Sequence, residues 1–469
     1  AAAATAATAV AGFPHIGRAE IGSSNTIKVG LIGCGGRGTG AATQALKSDD
    51  KVKLWAMADA FPEKIEGPLK TLGAAFGNER VEVDKSRQFT GLDAFEKLAA
   101  SDVDVVLMAT PPGYRPSMLR KCIEAGKHVF AEKPMAIDMA GIHHLMETAK
   151  IADEKKLAIQ HGYCWRYSPA NRVGFAKALG GELGRITSFV GTYLGGTVRA
   201  LSPDAKQPEG MGDVEWQLRN WINFEWLSGG PLLEQCIHAV DKMAWAMGDV
   251  APIAAFGNGG RGQRRDAGNV YDNYSITYEY PGNVFCQIQQ RQYSNSFNEN
   301  VSRIICEGGT VVGPWKVSTK DAKGKTNWKY RAEKGVEQNM YQTCHNEFFA
   351  NLRAGKIINS CEFMANSTAV GILGREAAHT GQRITWDNLW ETSEDQAPDN
   401  PPMDGKMPIP APPVPGTPPP SDVCCMLGEA CSCPLDAMCT RSLCGPRPLS
   451  PKRKPAPRSS VLGMGHSTV

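Results

Sequence analysis

Two short segments of this chain carry residues suited to moving a proton. The first, Ala125-Gly-Lys-His-Val-Phe-Ala-Glu132-Lys133-Pro134, brings an ammonium group to the end of an apolar run. An ammonium there hydrogen-bonds a substrate hydroxyl and offsets alkoxide charge. The second, Gly229-Gly-Pro-Leu-Leu-Glu234-Gln-Cys-Ile-His238-Ala-Val-Asp241, reads as helix. Glu234 and His238, four apart, then share a face, and Asp241 follows three residues on. A carboxylate beside an imidazole raises its pKa towards neutrality, where it takes up and returns a hydroxyl proton. The competing readings are a solvated lysine and a satisfied core histidine. The apolar strand before Lys133 and the proline after it favour a functional lysine, since both restrain its backbone.

What would such groups act beside? Ile27-Lys-Val-Gly-Leu-Ile32 predicts a buried strand, and Gly33-Cys-Gly35-Gly36-Arg37-Gly38 follows as G-x-G-x-x-G before a helical run from Thr39 to Lys47. The first glycine makes the turn, the second admits a pyrophosphate to the backbone, and the third lets helix and strand pack closely. The helix N-terminus then offers free N–H groups and the positive end of its dipole. Asp59 ends the next apolar run, 21 residues after Gly38, close to the interval at which an acid holds ribose hydroxyls. The cofactor expected is NAD, because a 2′-phosphate would meet like charge at Asp59; Arg37 in the loop offsets part of that repulsion, so NADP is not excluded.

Six strands are expected to carry these groups, at 27–32, 52–58, 81–83, 103–109, 128–131 and 157–160, with helices between most of them. Asp138 is expected to cap a long helix towards Lys155. Alternating strand and helix means a parallel sheet covered on both faces. The loops Thr110-Pro111 and Glu132-Lys133 leave the carboxyl ends of their strands, the edge where open α/β sheets bind ligands. Beyond about Tyr167 the pattern changes to longer alternating strands, 185–193, 271–280 and 284–292, which predict an open, mainly antiparallel sheet. A helix over 229–247 lies among them, with others from 341 and 363 and a closing strand near 383–386. Arg166 and Tyr167, after the sixth strand, and Trp221, before the His238 helix, suit a sugar ring and its hydroxyls, with Asp241 as a fourth contact. They suit interdomain packing equally.

The 469 residues allow two or three domains: a leader over 1–26, a nucleotide-binding domain over 27–160, a substrate and assembly domain over 161–396, and a tail over 397–469. The tail has eleven prolines between Pro398 and Pro420 and is expected to be disordered. With 51 basic and 48 acidic residues the net charge is +3, which argues against a nucleic-acid partner. No apolar run is long enough to span a bilayer, so no membrane is expected. Eight of the 14 cysteines are scattered in apolar runs and read as small buried hydrophobes; six crowd between Cys424 and Cys444. No histidine lies among those six and their spacing fits no zinc pattern, so no metal site is expected. The Ala-rich opening is similar to the end of an export signal for folded, cofactor-loaded proteins and predicts a periplasmic or secreted location; as a plain leader it would leave the chain cytoplasmic.

Gly33-Cys-Gly-Gly-Arg-Gly38, Ala109-Thr-Pro111, Ala125-Gly-Lys-His-Val129 and Glu132-Lys-Pro134 together resemble the Gfo/Idh/MocA family, the glucose–fructose oxidoreductase and inositol dehydrogenase group. The resemblance runs from about Ile27 to Trp390. It implies an N-terminal Rossmann domain, a C-terminal α/β domain with an open antiparallel sheet, a nicotinamide cofactor and a homodimer or homotetramer built through that sheet. It implies a dehydrogenase of a sugar, glycoside or polyol secondary alcohol. In the sugar and polyol dehydrogenases of that group the acid before the histidine is usually Asp; here it is Glu234. Two further readings are a glycosidase or lyase that oxidises its substrate transiently with retained cofactor, and a sugar or nucleotide sensor without catalysis.

Overall fold

A computed structural model describes residues 25–392, 395–396 and 401–417. The Ala-rich opening and the six crowded cysteines lie outside them.

Strands β1 (Ile27–Ile32), β2 (Val52–Asp59), β3 (Gln88–Thr90), β4 (Val105–Met108), β5 (His128–Ala131) and β6 (Ile159–His161) form a six-stranded sheet in the order 3-2-1-4-5-6. Every pairing in it is parallel. Because β1 lies between β2 and β4, successive crossovers leave it in opposite directions, and a crevice opens at the carboxyl ends of β1 and β4. The helix Gly36–Ser48 starts there. Asp138 caps the helix Met139–Glu154 as expected, its carboxylate accepting from the Gly141 N–H at 2.7 Å.

The third strand is not at 81–83. Val81 makes only an isolated bridge to Leu54, and a 3-10 turn over Lys85–Arg87, capped by Asp84, delivers Gln88 to the edge of β2 instead. Val81 and Val83 are buried apolar residues, which explains the sequence signal without a strand.

The second sheet has nine strands in the order 14-13-12-11-7-10-9-8-15. They are β7 (Ile186–Gly195), β8 (Ala254–Gly260), β9 (Asn273–Tyr280), β10 (Val284–Gln292), β11 (Glu299–Cys306), β12 (Gly309–Gly313), β13 (Ser318–Asp321), β14 (Thr326–Lys329) and β15 (Ile384–Thr385). Only β7 and β10 pair in parallel. Buried and exposed residues alternate along β10, so one face packs inward and the other is open. Burial also alternates over the second half of β11, whereas β13 and β14 are polar and β14 is largely exposed.

The two sheets share one core. A single cluster of buried side chains runs from Val106 on the first sheet and Ile142 on the helix Met139–Glu154 through Leu233 and Ile237 to Ile288 and Ile304 on the second sheet. The chain also returns late: Phe348, Phe349 and Leu352, on the helix Met340–Arg353, pack with Ala41 and Ala45 of the glycine-loop helix.

Part of the proline-rich tail belongs to the fold, against expectation. Met403, Met407 and Ile409 pack on the cluster of Phe61, Trp216 and Trp226. Carbonyls of the strap accept hydrogen bonds from the Glu215 N–H, the Gln217 amide and the Tyr271 hydroxyl, while the Gly416 N–H donates to Thr380. Proline removes donors but leaves carbonyls as acceptors, and the interspersed apolar side chains supply area to bury.

Candidate active site

The glycine loop has the backbone that a dinucleotide needs. Gly33 has φ +85°, and a Cβ there would stand 2.7 Å from the Ala109 carbonyl oxygen. A Cβ on Gly38 would lie 1.9 Å from the Gly33 oxygen, so helix and loop close only on glycine. Gly35 and Gly36 instead face open space. Asp59 fastens the loop to the sheet: its carboxylate accepts from the Cys34 N–H at 2.8 Å and the Phe61 N–H at 3.0 Å. Burial raises its pKa, and those two N–H groups and Lys64 pull the other way. The groove is lined by Gly33, Gly35, Gly36, Asp59, Thr110 and Pro111. The Thr110 hydroxyl is buried there without a protein partner. Open glycines at a helix N-terminus, a carboxylate at the ribose position and an unpartnered hydroxyl fit a dinucleotide.

Glu132 and Lys133 follow β5 at the carboxyl edge of the first sheet. Arg37, from the glycine loop, pairs with buried Glu132 at 3.0 Å, and its guanidinium sits 4.9 Å over the ring of Tyr341. It is thus engaged away from Asp59, where Lys64 is a nearby cation and Arg199 and Arg219 line the same groove. The Lys133 ammonium is held by the Glu234 main-chain carbonyl and, at 3.2 Å, by its carboxylate. Arg115, fully buried, donates to the carbonyls of Thr110 and Pro134 and so ties the β4 loop to the lysine loop.

Glu234 does not face His238. The expected continuous helix is broken: one segment spans Gly230–Glu234, and the next starts at Ile237. The Cys236 N–H reaches back to Pro231, and the His238 N–H bonds to Gln235 at 3.4 Å rather than to Glu234. The carbonyl so released takes the Lys133 ammonium. Glu234 is thus a partner of lysine, and the expected carboxylate-raised histidine is corrected: burial, then Lys133, Lys242 and Arg37, hold the His238 pKa well below its ordinary value. Its Nδ1 is buried without a partner among the described residues.

His238 opens onto a cavity of about 930 Å³. Trp165, Tyr193, Asn300, Trp315 and Tyr341 are among its walls, and no Asp or Glu among the described residues lines it. Lys242, one turn after His238, is fully buried with its ammonium 4.8 Å over the Trp165 ring, and burial lowers its pKa to about 8.

Of the four expected substrate contacts, none lines this cavity. Arg166 binds Asp241 at 3.0 Å and Asp249 at 2.6 Å, and Asp241, fully buried, also accepts from Ser367. Tyr167 shares its hydroxyl with Gln160 and His161. Arg166 and Asp241 lock the turn after β6 to the His238 helix, and Tyr167 ties the turn back to β6. Trp221 lines the nucleotide groove beside Arg219 and Pro111. The aromatic-and-arginine signal was real, but an arginine with two carboxylates in reach is satisfied internally. Trp315, Tyr341 and Asn300 were missed because the chain brings them from a loop, a helix and a strand over 60 residues beyond His238; a Trp directly after Gly313-Pro314 is the local signal they leave.

Residues 27–162 match the family described as oxidoreductase family, NAD-binding Rossmann fold (GFO_IDH_MocA), and residues 179–312 match the GFO/IDH/MocA C-terminal domain. An inositol 2-dehydrogenase 4 of Saccharopolyspora erythraea is 31% identical over 62% of this chain and 74% of its own length. An inositol 2-dehydrogenase of Rhizobium meliloti is 25% identical over 48% of this chain, which spans little more than half of that relative's length, 56%. Among solved structures, an aldose-aldose oxidoreductase from Caulobacter crescentus, 18% identical, superposes with a TM-score of 0.61 over 77% of this chain and 100% of its own. Among the described residues there is no group of metal-ligating side chains, and no helix is long and apolar enough to cross a membrane.

Proposed function

Since this chain belongs to the Gfo/Idh/MocA oxidoreductase family, we propose that it interconverts a secondary alcohol and a ketone on a sugar, glycoside or polyol. The observation that carries this reading is the unpartnered Nδ1 of His238, buried on an acid-free cavity beside the Lys133–Glu234 pair. Gly33, Gly35, Gly36, Asp59, Thr110 and Pro111 would hold the dinucleotide, whose nicotinamide supplies the hydride chemistry when bound. His238 takes the hydroxyl proton in oxidation and returns it in reduction. Burial and three nearby cations keep it neutral, so it is ready to accept without first losing a proton. The Lys133 ammonium, aimed by Glu234, steadies the alkoxide charge that develops. Asp59 favours NAD over NADP, and tighter binding of NADP by the wild-type chain would reverse that assignment.

Assembly through the open face of the nine-stranded sheet is part of the same reading, supported by the exposed Phe256 and Phe285 on β8 and β10, the two strands that flank β9. Light scattering of the purified chain tests it.

The experiment for the activity is a sugar and polyol panel, following nicotinamide absorbance and release of any aglycone. Lys133→Ala and His238→Ala should each lower turnover by roughly two to four orders of magnitude with cofactor binding retained. Near-normal turnover in His238→Ala would remove the histidine from the proton path. Aglycone release without net nicotinamide reduction would assign a glycosidase that recycles its cofactor, and binding without either signal a sensor.

A further inference from the structure

The cavity beyond His238 is much larger than the proposed reaction requires. About 930 Å³ stands at the upper end of the roughly 300–1,000 Å³ that drug-sized ligands fill, and one six-membered polyol ring would occupy a small part of it. The remainder is not featureless. Trp315, on the segment between β12 and β13, is 66% exposed, although its ring meets Trp165 edge to face at 4.6 Å. Tyr330, just after β14, stands on the same wall. Aromatic rings left at least partly open on the wall of a cavity provide stacking surface for a second ring.

The charge of this end points the same way. Lys316 and Lys329 line the cavity, neither makes an ion pair or a side-chain hydrogen bond among the described residues, and no acid shares the wall with them. Two residues of the wall, His238 and Asn300, each carry a buried polar atom, Nδ1 and Oδ1, with no hydrogen-bond partner among the described residues. Unpartnered buried polar atoms in a cavity are satisfied by what enters it. The lysines are additional to the Lys133–Glu234 pair and play no part in the proton path.

We propose that the site takes a glycoside rather than a free monosaccharide, with an anionic group on its distal ring. The sugar to be oxidised sits at His238, the distal ring lies against Trp315 and Tyr330, and its carboxylate or sulfate rests on Lys316 and Lys329. This inference rests on the proposed sugar chemistry at His238 and names the class of substrate for that same site.

The test is calorimetric binding to the NAD-loaded full chain, using each of several hexoses as free sugar, phenyl glycoside, 4-carboxyphenyl glycoside and 4-sulfophenyl glycoside, with turnover measured alongside. Phenyl glycosides should bind more tightly than the free sugars, and the charged ones more tightly still. The better of the two charged probes identifies the anion. Trp315→Ala should weaken all three glycosides roughly three- to tenfold and leave the free sugar unchanged. Lys316→Gln combined with Lys329→Gln should erase the roughly two- to fivefold advantage of the charged probes, together with its salt dependence. Equal affinity for free sugar and glycosides, or equal weakening of both in Trp315→Ala, overturns the distal subsite. Equal affinity for neutral and charged glycosides overturns its anionic character. Because binding is read apart from turnover, glycosides that bind as expected while no sugar is oxidised would leave the subsite standing and count against the proposed activity.

Discussion

In the nucleotide groove the part shaped for phosphate is main chain, the turn at Gly33, the open faces of Gly35 and Gly36 and the helix they begin, all local in sequence, while side chains such as Tyr114, Arg199 and Trp221 close the other walls. In the cavity next to it the polar groups are side chains drawn from a 3-10 turn, from β7 and β11, from the His238 helix and from the segment 314–341. A site made of backbone tolerates change in most side chains and fails at a glycine. A site made of distant side chains fails only where one of them is lost. This difference gives the two regions separate signatures under mutation.

The strongest contrast is within the glycine loop. Gly38→Ala should destabilise the fold by about 4 kcal/mol or more, because the new methyl meets main-chain oxygen that cannot move aside. Gly35→Ala should leave thermal stability nearly unchanged and weaken the cofactor roughly tenfold, since the methyl enters only the space left for phosphate. Melting curves with and without NAD separate the two. Similar melting temperatures for both variants would refute the division between a packing glycine and a binding glycine.

The strap over 401–417 backs the groove through Met403, Met407 and Ile409. A chain ending at Gln396 should lose about 3 kcal/mol and melt roughly 5 °C or more below the full chain, while one ending at Thr417 should keep its strap contacts and bind cofactor as before. Equal melting of the chain ending at Gln396 and the full chain would show that the strap adds nothing.

Buried histidines give the next effect. Burial depresses the pKa of His161 and His238 well below normal and that of His345 to about 3. Above about pH 6.5 all three are neutral folded or unfolded, so they add no pH dependence. Below it the unfolded chain takes up protons that the folded chain refuses, and stability falls by about 1.4 kcal/mol per pH unit for each histidine. Melting temperature should therefore decline steadily from about pH 6.5 towards pH 5. A flat profile would mean that these rings are protonated in the fold.

Glu234→Gln should have the smallest effect, no more than about tenfold on turnover, because the Glu234 main-chain carbonyl still holds Lys133. The acid limb of the pH–rate profile should stay in place, since Glu234 is aimed at lysine. A displaced limb would restore direct coupling between Glu234 and His238.

The residues 27–60 were legible because strand, turn, helix and acid are local: each glycine's task is set by neighbours a few positions away, and the periodicity of buried strands is written in consecutive residues. The same holds for the Asp138 cap and for the strands β7, β9 and β10. Chain sequence also singled out Lys133, Glu234 and His238. What it did not contain was their mutual arrangement. Helical spacing assigned Glu234 to His238, whereas the break at Gln235–Cys236 freed a carbonyl for Lys133 and turned the two side chains apart. Arg166, Tyr167 and Asp241 had the right chemistry for a sugar but were consumed by Asp249, Gln160, His161 and Ser367, partners that only folding brings near. The proline strap was read as disordered because proline forbids helix and central strand, yet a cluster of Phe61, Trp216 and Trp226 gave its apolar side chains a place to bury. Local backbone geometry is encoded by adjacent residues; the occupancy of a hydrogen-bonding or apolar surface depends on what arrives from elsewhere in the chain, and that was decided by the tertiary structure.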